Sequence, residues 1–263
     1  MLNLRRIQNL LIPCLLGLLF FPVASIQAID WGIPKTSDNR QQPFPGKEYH
    51  DLIAGHDHAF YIGSPEGKDI YLTFNMGFDN GTIPQILEAL KAHDVPATFF
   101  LNGRVYETNP EAVKQILEAG HTVGNHTYYH INLAKANKAK FQEDLEKLEQ
   151  AHLQVTGQPI SNYLSPPSGS FTKDTLEWAK ERGYYTFLWS LTYLDFDVNK
   201  QKGAQYAFDQ ITSRIHPGAL ILIHATSTDN AACLEKLLPK LKQDGYTFQP
   251  LGHLIESKGE GAQ

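Results

Sequence analysis

The sequence has almost no cysteine and no excess of positive charge. Only Cys14 and Cys233 occur in 263 residues, which excludes a small scaffold held together by disulfides. The 28 Asp and Glu outnumber the 23 Lys and Arg, so the net charge of −5 offers no basic surface for nucleic acid. With 42% hydrophobic and 19% charged residues, the composition is that of a globular protein, which excludes a disordered or collagen-like chain. Eleven His are present, and their positions carry most of the functional argument.

The N-terminal segment is typical of an export signal. Two arginines precede a nearly unbroken apolar run over 10–23, and small residues follow as far as Ala28. The run is shorter than the ~20 residues that span a bilayer comfortably. We therefore expect residues 1–28 to be a signal peptide, or alternatively an uncleaved N-terminal anchor. In both cases the protein is expected to be exported, to the extracellular or cell-wall side of the membrane.

The rest of the chain predicts one parallel α/β domain. Residues 29–68 contain several prolines and few periodic apolar positions, which predicts an extended N-terminal arm. Strands are predicted at 70–74, 97–101, 122–125, 163–165, 184–189, 219–223 and 246–249. Helices are predicted near 83–93, 110–119, 137–155, 172–182, 204–214 and 229–243. This alternation favours a single domain over 69–254, either an incomplete barrel or an open doubly wound sheet, followed by a flexible tail over 255–263.

Candidate functional residues lie where the predicted strands end, which is where parallel α/β domains carry their sites. His126 and His130 are four residues apart after the third strand, and this spacing suits a divalent transition metal. His224 ends the sixth strand and could act as a general acid, with Asp195 as the carboxylate that orients its ring. Each of these residues could instead be an ordinary buried histidine or turn aspartate.

Two aromatic residues at strand ends, Trp189 and Tyr128, could stack on a sugar ring. In such places aromatic side chains are more often part of the core or its rim. Their role therefore depends on whether they reach the same site as the histidines.

Taken together, the motifs resemble the polysaccharide deacetylase family, also called the NodB homology family, over residues 69–254. More narrowly, they resemble the muramic acid de-N-acetylases, which prepare spore-cortex peptidoglycan. The segments that carry this resemblance are Phe78-Asp79-Asn80-Gly81, His126-Thr127-x-x-His130, Trp189-Ser190 with Asp195, Asn199-x-x-x-Gly203-x-x-Tyr206-Ala207, His216-Pro217-Gly218 and Asp229-Asn230-Ala231.

The resemblance implies a fold, a reaction and a cofactor. The fold would be a distorted (β/α)7 barrel. The reaction would be hydrolysis of the N-acetyl group of muramic acid or N-acetylglucosamine in peptidoglycan. A divalent metal, Zn, Co or Mn, would bind His126 and His130, His224 would protonate the leaving nitrogen, and no other cofactor is implied.

Three positions depart from the family pattern. The family motif T-F-D-D-G, often T-F-D-N-G in the muramic subgroup, reads T-F-N-M-G here, so Asn75 occupies the position of the general base and Met76 that of a metal ligand. The motif R-P-P-x-G begins with Ser165 instead of the Arg that pairs with the base, although Pro166 and Gly169 remain as candidate substrate-binding residues. An amide cannot accept a proton from water at neutral pH, and a thioether is a poor ligand for a hard or borderline ion.

Two functions therefore remain open. The protein could be an impaired de-N-acetylase in which Asp79, four residues beyond Asn75, replaces the base. Loss of a general base typically costs ~10²–10⁴-fold, so weak activity would survive it. Alternatively, the protein could be a catalytically inactive relative that binds peptidoglycan or another amino-sugar polymer. Neither function involves nucleic acid, and membrane contact is expected only through an uncleaved N-terminal segment.

Overall fold

The computed structural model describes residues 27–34, 36 and 41–260, so the predicted signal segment lies outside it except for residues 27 and 28. The strands in this part of the chain are β1 (Ile29–Asp30), β2 (Ala59–Phe60), β3 (Asp69–Met76), β4 (Thr98–Leu101), β5 (Thr122–Asn125), β6 (Tyr163–Leu164), β7 (Ser170–Phe171), β8 (Tyr185–Phe187), β9 (Leu220–His224) and β10 (Thr247–Phe248). The helices are α1 (Lys47–Ala54), α2 (Ile83–Ala92), α3 (Gly103–Thr108), α4 (Pro110–Glu118), α5 (Lys138–Thr156), α6 (Lys173–Glu181), α7 (Ala204–Thr212), α8 (Thr228–Gln243) and α9 (Leu251–Glu260).

A curled parallel sheet with flanking helices forms the centre of the fold. β3 pairs with β9 along one edge, and with β10 and then β4 along the other. The sheet continues from β4 through β5, β6 and β8 to β2. A bridge between Leu191, which follows β8, and Ile221 in β9 joins the two sides of the curl. The predicted distorted (β/α)7 barrel and its single domain are therefore confirmed.

The alternation of side chains along β3 separates the helix-facing core from the barrel interior. The strand is buried almost throughout, and Phe74 and Met76 belong to the core cluster that includes α2 and α8. Because successive side chains of a strand point to opposite faces, Asn75 between them points into the barrel. Asn75 pairs with His224 on β9, which places these two side chains together on the inner face.

The N-terminal arm and the C-terminal tail differ from their predictions. Within the predicted arm over 29–68, α1 is a helix, and β2 joins the sheet by pairing with β8, so the fold begins before residue 69. Residues 255–260, predicted to be a flexible tail, belong to α9, which packs onto the domain through the buried side chains of Leu251 and Leu254. None of the helices described is long and apolar enough to cross a membrane.

Candidate active site

The carboxyl ends of the strands surround a cavity of about 520 Å³. Asn75, His126, His130, Trp189 and His224 line it, together with mainly apolar side chains. Among the described residues, the lining contains no Asp, Glu, Lys or Arg. The polar chemistry of the cavity therefore rests on three imidazoles, amide and hydroxyl groups, and the backbone.

His126 is buried and held in one tautomer. Its Nδ1 lies 2.7 Å from the carbonyl oxygen of Ser165 and must donate a proton to it, which leaves Nε2 with a free lone pair. This Nε2 faces the side-chain nitrogen of Asn75 at 3.4 Å. Burial, and secondarily the neighbouring His130, lower the pKa of His126 to about 3. The ring is therefore neutral at physiological pH.

The loop that carries the two histidines has a strained backbone. Thr127 and His130 have φ angles of 61° and 53°, in the left-handed region that side chains other than glycine rarely adopt. The buried carboxylate of Asp144 on α5 accepts hydrogen bonds from the backbone N–H groups of Tyr128 at 2.6 Å and Tyr129 at 3.3 Å. This arrangement sets the imidazoles of His126 and His130 edge to face, with ring centroids 5.0 Å apart.

Asn75 has an amide oxygen that is buried and has no hydrogen-bond partner. Met76 lines the cavity at the end of β3, but it is 1% exposed and packs in the helix-facing core, so it does not take the place of the expected metal ligand. No group of three His, Cys, Asp or Glu that could hold a metal occurs among the described residues. The available donors are the imidazoles of His126 and His130, which fit a divalent ion as neutral ligands only, because the side-chain nitrogen of Asn75 and not its oxygen faces Nε2 of His126.

His224 and Asp195 form the second polar pair. The Nδ1 of His224 donates to Oδ1 of Asp195 at 2.7 Å, and the backbone N–H of His224 donates to Oδ2 at 2.7 Å. The Asp195 side chain is 1% exposed, whereas that of His224 is 26% exposed. The carboxylate thus fixes the ring tautomer and leaves Nε2 of His224 available to the cavity.

Two predicted site residues do not line the cavity because their polar groups are used elsewhere. The carboxylate of Asp79 accepts hydrogen bonds from the N–H of Gly81 and the side-chain amide of Asn109. The hydroxyl of Tyr128 donates to Glu107 at 2.6 Å. The structure therefore brings neither a substitute base at Asp79 nor a stacking ring at Tyr128 into the site.

Pro166 and Gly169 lie behind the wall of the cavity and do not line it. Gly169 has a φ of +65°, and a Cβ atom there would lie 2.5 Å from the ring of Trp189. Its neighbour Ser168, by contrast, reaches the cavity. These two residues therefore shape the wall that holds Trp189.

Three residues near His224 were not singled out as site residues by sequence reasoning. Phe196 lines the cavity with its ring 5.9 Å from that of His224. Tyr193 also lines the cavity, and its hydroxyl donates to the buried amide of Asn230 at 2.5 Å. The only sequence signal for this group was that Asn230 belongs to a motif shared with the muramic acid de-N-acetylases.

A curled parallel barrel whose strand ends carry a His–His pair and a His–Asp pair beside one cavity has the architecture of a carbohydrate de-N-acetylase. The polysaccharide deacetylase family profile matches residues 62–187. Together with the relatives described next, this match shows that the chain belongs to the polysaccharide deacetylase family.

Several relatives are peptidoglycan deacetylases. The chain is 38% identical over 232 residues to the peptidoglycan-N-acetylmuramic acid deacetylase PdaA of Bacillus subtilis, covering 88% of each protein. The solved structure of PdaA, a family 4 carbohydrate esterase, superposes with a TM-score of 0.84 at 37% identity, over 88% of this chain and 98% of that one.

A family 4 pseudoenzyme from Bacillus anthracis is also similar, with a TM-score of 0.69 and 32% identity over 75% of this chain and 68% of that one. A mutant of this pseudoenzyme, described as having restored enzymatic activity, matches with the same TM-score and 31% identity, over 75% of this chain and 71% of that one.

Proposed function

We propose that this protein binds an N-acetylated amino sugar of peptidoglycan in the cavity and hydrolyses its acetamido group slowly. The observation that carries the proposal is the pairing of Asn75 with His224 on the inner face of the barrel. His224 keeps its carboxylate partner, whereas Asn75 presents an amide where the reaction needs a base. The half of the site that donates a proton is thus complete, and the half that removes one is not.

Each polar group has a defined part in this proposal. A divalent ion, when bound, would be held by His126 and His130, and it would polarise the carbonyl of the acetamido group. His224 in its imidazolium form, with Nδ1–H held by Asp195, would give the proton on Nε2 to the leaving nitrogen and return to the neutral ring. The ring of Trp189 forms an apolar wall of the cavity against which the acetyl methyl group can pack.

The proposed site of action is outside the cell membrane. This part of the proposal is supported by the apolar N-terminal run at 10–23 and by the peptidoglycan substrates named for the relatives. A role in forming spore-cortex peptidoglycan is supported only by the resemblance to muramic acid de-N-acetylases.

A second candidate is a glycan-binding protein with no hydrolytic activity. It is favoured by the absence of any carboxylate from the described cavity lining and by the structural similarity to a pseudoenzyme. The restored activity of a mutant of that neighbour supports the idea that such a barrel can keep the rest of its site when hydrolysis is lost.

An assay of acetate release distinguishes the two candidate functions. The purified protein is incubated with peptidoglycan glycan strands, once with Zn, Co or Mn and once with a chelator, and the released acetate is measured. Slow release that is abolished by His224→Ala supports the impaired enzyme. No release, together with strand binding that survives in the chelator, supports the binding protein. Release that is unchanged in His224→Ala contradicts the assignment of the proton donor.

The double variant Asn75→Asp with Ser165→Arg tests the inherited site directly. We expect it to raise the rate by roughly 10²–10⁴-fold, because it restores both a base and the cation that pairs with it. The single variant Ser165→Arg is the matched control, since it introduces the cation without the carboxylate. A double variant that gains no activity would show that the site has lost more than its base.

A further inference from the structure

We propose that Asn230 is a positioning residue that holds the His224–Asp195 pair in its proton-donating geometry. The proposal rests on the proposed function, because it concerns the half of the site that remains intact. Asn230 is fully buried in the first turn of α8, where its backbone N–H is capped by Ser227 at 3.1 Å. Its side chain makes three hydrogen bonds, all to residues of the site.

The orientation of the Asn230 amide follows from its neighbours. Its nitrogen lies 2.6 Å from Oδ2 of Asp195 and 3.0 Å from the carbonyl oxygen of His224. Both partners can only accept, so the NH₂ group must face them and the amide oxygen must face Tyr193. Burial raises the pKa of the Tyr193 hydroxyl, which therefore stays protonated and donates to that oxygen at 2.5 Å.

These bonds connect the two segments that make the proton donor. Asp195 belongs to the loop after β8, whereas His224 ends β9, so no local backbone geometry fixes their separation. The amide of Asn230 donates to both of them at once and thereby sets the distance between them. Together with the two hydrogen bonds from His224, it fills the acceptor sites of a buried carboxylate that would otherwise be under-paired.

The residue before Asn230 ties the same loop to α8 at a second point. One carboxylate oxygen makes this connection: Oδ2 of Asp229 accepts the backbone N–H groups of Lys202 at 2.6 Å and Gly203 at 2.8 Å. Gln201 makes a third connection, because its side-chain amide nitrogen donates a hydrogen bond to the carbonyl oxygen of Asp195 at 3.2 Å. The motif Asp229-Asn230 thus clamps the loop that carries the carboxylate, and Asn230 alone reaches the reacting pair.

The test is the imidazole N–H signal of His224 in ¹⁵N-resolved NMR spectra, assigned by its loss in His224→Gln. In the unmodified protein this proton is hydrogen-bonded to a buried carboxylate, and we expect a downfield signal in slow exchange with water. We expect Asn230→Leu, which keeps the branching of Asn at Cγ but donates nothing, and the isosteric Asn230→Asp to lose that signal. Leu241→Ala, at the far end of α8, is the matched control, because it loosens a buried contact of the same helix without touching the polar pair.

A second measurement uses the reactivated Asn75→Asp with Ser165→Arg protein. There we expect Asn230→Leu to lower kcat for acetate release by roughly 10-fold or more with little change in KM, whereas Leu241→Ala leaves both unchanged. Retention of the His224 signal in Asn230→Leu and Asn230→Asp overturns the proposal. Because the NMR measurement needs no activity, the proposal can succeed when acetate release is absent and can fail when release is present.

Discussion

A carboxylate placed at position 75 should restore the charge of a neighbouring histidine. In the unmodified protein, burial lowers the pKa of His126 from 6.5 to about 3, and Asn75 offers no charge to oppose this. The difference of about 3.5 pKa units corresponds to about 5 kcal/mol disfavouring the imidazolium. The variant Asn75→Asp puts an anionic oxygen in place of an amide nitrogen that lies 3.4 Å from Nε2 of His126.

The attraction this creates is of the same size as the cost of burial. Two unit charges at 3.4 Å, with an effective dielectric constant of ~20, attract by about 5 kcal/mol. The two terms nearly cancel, so we expect the pKa of His126 to rise from about 3 to about 6 in Asn75→Asp. The ring should then be cationic at pH 5, where the unmodified protein keeps it neutral.

The assay is ¹⁵N NMR of the two imidazole nitrogens in metal-free protein between pH 8 and pH 4.5. In the unmodified protein Nε2 of His126 should keep the shift of an unprotonated nitrogen throughout, because Nδ1 carries the proton. In Asn75→Asp both nitrogens should become protonated with a midpoint near pH 6. Asn137→Asp is the control, since it adds the same charge at an exposed helix N-cap where Asp serves as well as Asn. A ring that stays neutral at pH 5 in Asn75→Asp would refute the reasoning.

Two further predictions concern stability. His126 and His152 have their pKa values lowered to about 3 and about 4, so the unfolded chain takes up protons near pH 6.5 before the folded one does. The contribution of these two rings to the free energy of unfolding is complete above pH 6.5 and is lost as the pH falls, by about 2 kcal/mol for each ring at pH 5. Denaturant unfolding of the metal-free protein at pH 7.5 and at pH 5 measures this loss. Equal stability at both pH values would contradict this. Gly169→Ala should cost about 2–4 kcal/mol, because it combines a left-handed backbone with a clash against Trp189, whereas Gly67→Ala, with a φ of +80° and open space, should cost only the backbone strain. Equal losses in the two glycine variants would show that the contact with Trp189 is not the cause.

The main elements of the barrel could be predicted because their signals are local. All seven predicted strands and all six predicted helices are present, with ends shifted by a few residues. β2 was missed because it is two residues long and joins the sheet only through its pairing with the distant β8. α1 and α9 were missed because they are short helices stabilised by packing on the domain rather than by clear start and stop signals.

The site was partly predictable for a related reason. His126, His130 and His224 follow strand ends, and parallel topology alone brings such positions together. Asp79 was predicted from its proximity in sequence to Asn75, which says nothing about the hydrogen bond that turns its carboxylate towards Asn109 and away from the cavity lining. The role of Asn230 depends on a contact between α8 and a loop 35 residues earlier, which no local pattern encodes.

The two halves of the site differ in how many hydrogen bonds connect them to the rest of the fold. At position 75 a neutral amide lies beside the neutral His126, and the polar atom without a hydrogen-bond partner is the amide oxygen of Asn75. With Ser at position 165 and no Lys or Arg in the described cavity lining, this half of the site contains no buried cation that would need a carboxylate partner.

Replacement of Asp195 would have a different consequence. It would leave the ring and backbone N–H groups of His224 and one N–H of the buried Asn230 amide without acceptors, and it would remove one of the contacts between the loop and α8. Each unpaired buried donor costs about 1–3 kcal/mol, so this half of the site is kept by stability as well as by chemistry. The presence of an intact His–Asp pair is therefore weak evidence for hydrolysis in this protein, and the group at position 75 is the informative one.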